Sequence, residues 1–276
     1  MADKLPVYPY NLGYALSGGG ARGYAHLGVL SALDARGVKP QIIAGTSVGS
    51  LVGILYADGY SPEEILEISA NINFIKLVKI TKPTSGFFKT SGITNFLRKH
   101  LRAKSFEELN IPFVAVATDM YNSTTHVFSE GKNLVEAVVA SCSIPILFEP
   151  QKINGNYYSD GGIFKNLPVS VIRNQCRYVI ASNVSLMYKL PEPLTMKSIT
   201  EHTFRMMSNA NVLEDRQLCD ILIEVHGLEQ TKLFDLDKKE RLVEIGKDAA
   251  TIKLNEKDAK KILSNCIKYD KLMSNN

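Results

Sequence analysis

Cysteine is scarce in this sequence: 276 residues hold four, Cys142, Cys176, Cys219 and Cys266. None forms a C-x-x-C pair, and the density is far below that of a secreted disulfide scaffold. The chain therefore reads as one with free thiols in a reducing compartment, each a small buried apolar group. Long apolar runs are also missing. No stretch reaches the roughly 18 residues that a membrane-spanning helix needs. The opening MADKLPVYPYN has no basic region followed by an apolar one, so no signal peptide is expected. The expected location is the cytoplasm, or a peripheral position at the inner face of the membrane. No internal repeat, low-complexity tract or Pro/Gly/Ser-rich linker divides the chain. Acid is absent from one stretch. The net charge is +4, yet residues 71–105 hold eight of the 32 Lys and Arg and no Asp or Glu. The other 24 basic residues face 28 acidic ones, so the positive charge is a local feature.

What is present suits a globular core, with 45% hydrophobic and 22% charged residues. Short apolar runs at 12–17, 41–44, 112–118, 177–183 and 220–225 read as buried strands, with a further strand at 124–128. A strand through Tyr157-Tyr158 leads into Asp160-Gly161-Gly162. Helical spacing follows Gly23, with Ala25, Val29, Leu30 and Leu33 on one face and Gly37 as a stop. Further helices are expected over 48–58, 91–103 and 133–141, and in the charged tail from about 237. Ser61-Pro62-Glu63-Glu64 is a capping-box pattern. Strands alternating with helices predict one α/β domain over 1–276, with a largely parallel central sheet flanked by helices. Its core is expected over about 10–230, and 231–276 as a helical C-terminal extension.

Two glycine motifs carry the chemistry. Gly18-Gly19-Gly20-Ala21-Arg22-Gly23 joins a strand to a helix and matches G-x-G-x-x-G. A dinucleotide site would also need an acid at the end of the second strand, about twenty residues on. The sequence has Gly45-Thr46-Ser47 there, so that fingerprint is incomplete. More generally, such a loop exposes backbone N–H groups at a helix N-terminus, where an anion or a developing oxyanion is favoured, and Arg22 adds positive charge. It also serves as a tight strand-to-helix turn. Gly45-Thr46-Ser47-Val48-Gly49 matches G-x-S-x-G between an apolar strand and an apolar helix. This is the setting of a nucleophile elbow, in which a strained turn lifts a serine hydroxyl out of the sheet.

A serine hydroxyl needs a base. The five histidines are His26, His100, His126, His202 and His226. The first four read as structural or surface residues. His226 follows the strand DILIEV and would complete the order Ser47, Asp160, His226 of an α/β-hydrolase, although that fold places more strands before its nucleophile. Asp160, in Tyr158-Ser159-Asp160-Gly161-Gly162, is the other candidate. A carboxylate within hydrogen-bond reach can act as a general base, and the two glycines can aim it into a cleft. Taken alone, the segment is equally an ordinary Asp-Gly turn.

In that order, GGGARG, GTSVG and SDGG resemble the patatin-like phospholipase (patatin-like lipid acyl hydrolase) family, bacterial type. The segment 140–150 (ASCSIPILFEP) looks like the block before the family's Asp, and Asn166-Leu167-Pro168 like the one after it. The resemblance covers about 12–185, and DILIEV more loosely. It implies a three-layer α/β fold and hydrolysis of lipid esters by a Ser–Asp dyad without histidine or cofactor. Ser47 would be the nucleophile and Asp160 the base. Gly18, Gly19, Gly20 and Arg22 would form the oxyanion hole. Two rival expectations are a soluble carboxylesterase using His226 and a lipid-sensing protein without activity.

The basic segment 71–105 interleaves Lys76, Lys79, Lys82, Lys89, Arg98, Lys99, Arg102 and Lys104 with Phe74, Ile75, Leu77, Val78, Ile80, Phe87 and Phe88. It fits an anionic membrane interface, a cover over the site, or a solvated basic face with its apolar residues turned inward. It carries no nucleic-acid motif. Membrane contact through it predicts more co-sedimentation with liposomes containing anionic lipid than with neutral ones, at about 1 kcal/mol per well-placed charge. Equal and negligible binding to both would remove that role.

Overall fold

The strands that carry the fold are apolar nearly from end to end. In the computed structural model, which describes residues 8–70, 79–80, 88–187, 192, 194–228, 231 and 238–274, they lie side by side in one sheet. Strands β1 (Tyr10–Leu16), β2 (Ile42–Thr46), β5 (Phe113–Asp119), β9 (Cys176–Asn183) and β10 (Ile221–Glu224) run parallel. β6 (Thr124–Phe128) and β8 (Asn156–Asp160) pair antiparallel with β5, and β7 (Gln151–Ile153) pairs antiparallel with β8. The path is β10-β9-β1-β2-β5-β8-β7, with β6 also on β5. Two-residue strands β3 (Lys79–Ile80) and β4 (Phe88–Lys89) pair separately. Part of the basic segment, residues 71–78 and 81–87, lies outside the described residues.

Residues alternate between two cores, as the period of a strand requires. Leu12, Tyr14, Leu16, Ile43, Phe113 and Ala115 face the larger core. Ala15, Ile42, Ala44, Val114 and Val116 face the other. Both sides are covered, which is why these strands read as continuous apolar runs instead of alternating with polar residues. The larger core is closed by α1 (Tyr24–Asp34), α2 (Val48–Ala57), α3 (Pro62–Ala70), α4 (Ser91–His100), α5 (Leu134–Ser141), α9 (Lys239–Leu254) and α10 (Lys257–Ser274). The smaller is closed by α6 (Val169–Arg173), with Val212 and Leu218 beside α8 (Leu213–Leu218). Helix α7 (Met196–Ala210) lies against the turn after β8. The capping box at α3 forms, with Ser61 N donating to Glu64 Oε2 at 2.7 Å and Glu64 N to Ser61 Oγ at 3.1 Å.

The charged tail helices are built into the larger core. α9 buries Leu242, Gly246, Ala250 and Leu254, and crosses α1 closely enough that neither helix tolerates a side chain at the contact. A Cβ on Gly28 would stand 1.9 Å from Val243 O, and one on Gly246 would stand 2.0 Å from Ala25 O. Gly246→Val must push the two helices apart. It is expected to cost about 3 kcal/mol in urea unfolding, at the upper end for overpacking a close contact.

Candidate active site

The site begins where β2 stops. Thr46 is the last strand residue, Val48 starts α2, and Ser47 between them has φ 54° and ψ −126°. That is a costly conformation for a side-chain-bearing residue, of order 1–3 kcal/mol. The turn is tight enough that both flanking glycines are required. A Cβ on Gly45 would stand 2.5 Å from Gly49 O, and one on Gly49 would stand 2.2 Å from Leu16 O. Hydrogen bonds hold the strained residue from several sides. Ser47 N donates to Ser141 Oγ at 2.8 Å, and Ser141 Oγ donates to Val116 O at 2.6 Å. Ser50 Oγ donates to Ser47 O at 2.6 Å.

Asp160 arrives at the same place by the register of β5. Ala117, Thr118 and Asp119 pair with β6 and β8 together, so those strands take opposite edges of β5. Ala115 and Val116 pair with β2 and β6 together, which puts β2 and β8 on one edge. Val116 pairs with Thr46, and the next residue, Ala117, pairs with Asp160. The ends of β2 and β8 thus meet head to head, and the serine that turns out of β2 faces the last residue of β8. Ser47 Oγ donates to Asp160 Oδ2 at 2.6 Å. Gly162 N donates to Asp160 Oδ1 at 2.8 Å. Thr118 Oγ1 and Ser143 O hold the Asp160 backbone at 2.9 and 2.8 Å. Asp160 is wholly buried. Burial, only partly offset by the bonds from Ser47 and Gly162, raises its carboxyl to about 7 from an ordinary 3.8.

The glycine loop borders the same cleft, lined by Gly18, Gly19, Gly20, Arg22 and Asn166 around Ser47. Gly18 N donates to Asn166 O at 3.1 Å. That N–H is therefore committed to holding the loop. Arg22 is the largest of the fully buried side chains. His26, expected as structural, anchors the loop from below. Its Nε2 lies 2.9 Å from Ser17 O and its Nδ1 2.8 Å from Ser182 Oγ. Burial lowers its pKa to about 4, so the ring is neutral, with Nε2–H donating to the carbonyl and Nδ1 accepting from the hydroxyl.

His202 sits on α7 beside the cleft-lining Glu201, and the remaining three histidines lie elsewhere. His226 is exposed in a separate hollow with Arg241, Ile245 and Asp248. His100 packs on Phe96, and His126 on Phe128 and Tyr158. The direct Ser47–Asp160 bond leaves no imidazole between the two groups. Among the described residues, no three His, Cys, Asp or Glu side chains converge as a metal site. No described helix is long and apolar enough to cross a membrane.

Three participants were not legible as such in the sequence. Ser141 braces the elbow, in a segment whose only sequence signal was the family-like block 140–150. Asn166 is buried beside Ser47, and its Nδ2 finds no hydrogen-bond partner among the described residues. Helix α7 closes the cleft from above with Glu201, Phe204, Arg205 and Ser208, leaving a volume of about 20 Å³, room for one water molecule.

A family model described as a patatin-like phospholipase matches residues 14–172, more than half of the chain. An uncharacterized NTE family protein of Mycobacterium tuberculosis is 35% identical over 161 residues, which are 57% of this chain and 44% of that protein. Patatin-like phospholipase domain-containing protein 6 of Homo sapiens is 31% identical over 179 residues, 61% of this chain and 13% of that protein. The chain thus spans less than half the length of these curated relatives. In fold, it is similar to the crystal structure of VipD from Legionella pneumophila, with a TM-score of 0.58 at 14% identity over 93% of this chain and 67% of that one. The matched span runs from β1 through the glycine loop, the elbow and Asp160 to α6, and on it the chain belongs to the patatin-like phospholipase family.

Proposed function

We propose that the chain is a serine hydrolase that cleaves carboxylic esters of lipids, with Ser47 as nucleophile and Asp160 as its base. The observation that carries this reading is the 2.6 Å bond from Ser47 Oγ to a buried carboxylate, on a turn strained toward a glycine loop. Family membership supports the lipid ester as substrate.

The chemistry follows from the positions. Asp160 Oδ2 takes the Ser47 proton as Oγ attacks the ester carbonyl. The carbonyl oxygen becomes an oxyanion, received by the N–H groups of Gly19 and Gly20 beside the positive field of Arg22. Each well-placed donor is worth about 3–4 kcal/mol at this stage. Gly18 contributes by fixing the loop to Asn166 O. Asp160 returns the proton to the departing alcohol, which leaves an acyl group on Ser47. Asp160 then takes a proton from water, which attacks the acyl carbon, and the proton goes back to Ser47 as the fatty acid departs. The Gly162 N–H steadies the carboxylate throughout by holding its other oxygen. The rival triad through His226 gains no support, since that histidine lines a different hollow.

Ser47→Ala is expected to abolish labelling by a fluorophosphonate probe and to lower hydrolysis of a short acyl ester by at least about 10³-fold. Asp160→Asn should lower it comparably, and His226→Ala should leave it within about twofold of the parent. Full esterase activity in Ser47→Ala would overturn the assignment. The pH profile follows from Asp160. Its protonated form cannot accept the serine proton, so with a carboxyl near 7 the rate should climb with pH through about 7 and then level off. A profile already flat from pH 5 upward would exclude Asp160 as the base.

A further inference from the structure

A helix at a protein surface ordinarily turns its apolar stripe inward and its charges outward. Helix α7 does the reverse. Its inner side, over Ser47, presents Glu201, Phe204, Arg205 and Ser208. Its outer side presents Met196, Ile199, Met206 and Met207, exposed by 81, 45, 51 and 39%. Thr203 and Ala210 share that outer face and are also exposed. The charged side chains described on this helix, Glu201 and Arg205, both line the cleft, and the described residues of the solvent side offer methyl, thioether and hydroxyl groups. The apolar surface continues onto neighbouring segments. Leu213 on α8 is 61% exposed, and Ile146, two residues past the cleft-lining Ile144, is 58% exposed.

The same helix shuts the cleft. About 20 Å³ over Ser47 admits a water molecule but no lipid ester. At the C-terminal end of helix α7, Ser208 Oγ and Asn211 Nδ2 donate to Gly162 O at 2.9 Å each and Asn209 Nδ2 donates to Ser185 O. Toward its middle, Phe204 packs on Ile144, Leu147 and Phe148. Its first turn carries its own capping box, with Thr195 and Ser198 bonded reciprocally.

We infer that the outer face of α7 is a docking surface for the apolar region of a lipid bilayer, and that the helix covering Ser47 is thereby the part of the protein that meets the substrate's own phase. The inference rests on the hydrolase reading for its choice of lipid, because the cleft beneath the helix is the one proposed to cleave lipid esters. The described residues of the face carry no charge to attract an anionic headgroup, so docking through them depends on apolar burial and is indifferent to headgroup charge. Flexible methionines suit an irregular acyl surface. This separates α7 from the basic segment 71–105, whose binding would require anionic lipid and weaken with salt.

The test is co-sedimentation of the full chain with phosphatidylcholine vesicles at low salt and at about 1 M NaCl, where charge attraction is screened within ~3 Å. The parent chain and Ser47→Ala are expected to pellet equally at both salt levels. The double variant Ile199→Glu with Met206→Glu is expected to bind at least about 10-fold less, as is Met196→Glu at the end of the helix. Tyr121→Glu with Ile252→Glu, which adds the same charge at exposed apolar sites on the β5–β6 turn and α9, should bind like the parent. Thermal unfolding midpoints matching the parent certify each fold. Failure of the parent to pellet, or binding by the Ile199/Met206 variant equal to the parent, overturns the inference. So does self-association of the parent without vesicle binding that the variant abolishes, which would give the face to a second copy of the chain. Ser47→Ala keeps the two readings apart: were it still active the hydrolase reading would fail, while its vesicle binding would speak for docking alone.

Discussion

Strands β2 and β8 run toward each other along one edge of β5 and stop at consecutive positions, opposite Val116 and Ala117. Ser47 and Asp160 are 113 residues apart in sequence, yet the backbone ladder of a third strand sets their meeting. Neither group depends on a loop to find the other. The strain at Ser47 is sustained by the same arrangement, since the Ser141 hydroxyl that receives its N–H is itself anchored on Val116, the β5 residue at the junction. A one-residue slip of β8 would put Ser159 in place of Asp160 and turn the carboxylate to the other face.

The electrostatics follow from that junction. A carboxylate with no exposure to water is costly, and burial raises its pKa. The two hydrogen bonds that pull the other way come from Ser47 Oγ and Gly162 N, the groups the proposed chemistry uses at that spot. The balance falls near neutrality, where a group can both take and return a proton. His26 is the contrasting case. It is equally buried but held neutral between a carbonyl and a hydroxyl, so it shapes the glycine loop without adding charge to it.

Much of this was legible in the sequence because it is local. The apolar runs gave the parallel strands nearly to the residue, Ser61 and Glu64 form the expected cap, and the elbow declared itself through Gly45, Ser47 and Gly49. Asp160 was not legible from its own surroundings, because an Asp-Gly-Gly turn looks the same wherever it points; its partner is fixed by β5, far away in sequence. The use of the Gly18 N–H by Asn166 O is hidden for the same reason, as is the brace from Ser141. Helix α7 escaped notice because its pattern is inverted: periodicity locates an apolar stripe, but only the folded chain shows that this stripe faces outward. The tail helices read as an extension because they are rich in charge, whereas burial falls on Leu242, Gly246, Ala250 and Leu254 of α9 and on Ala259, Leu263 and Cys266 of α10.

The contact between α9 and α1 has a consequence for how the chain acquires its shape. Gly28 and Gly246 bring together helices from opposite ends of the sequence, and Asn11 Nδ2 reaches Cys266 O across 255 positions. A polypeptide emerging from the ribosome makes β1 and α1 early but must wait for α9 and α10 before those first elements are covered. During that interval the apolar side of α1 has no neighbour on its far flank. A topology dominated by such distant closures folds slowly and spends longer in sticky, unfinished states. The order of synthesis thus makes the arrival of α9 and α10 the step that covers α1.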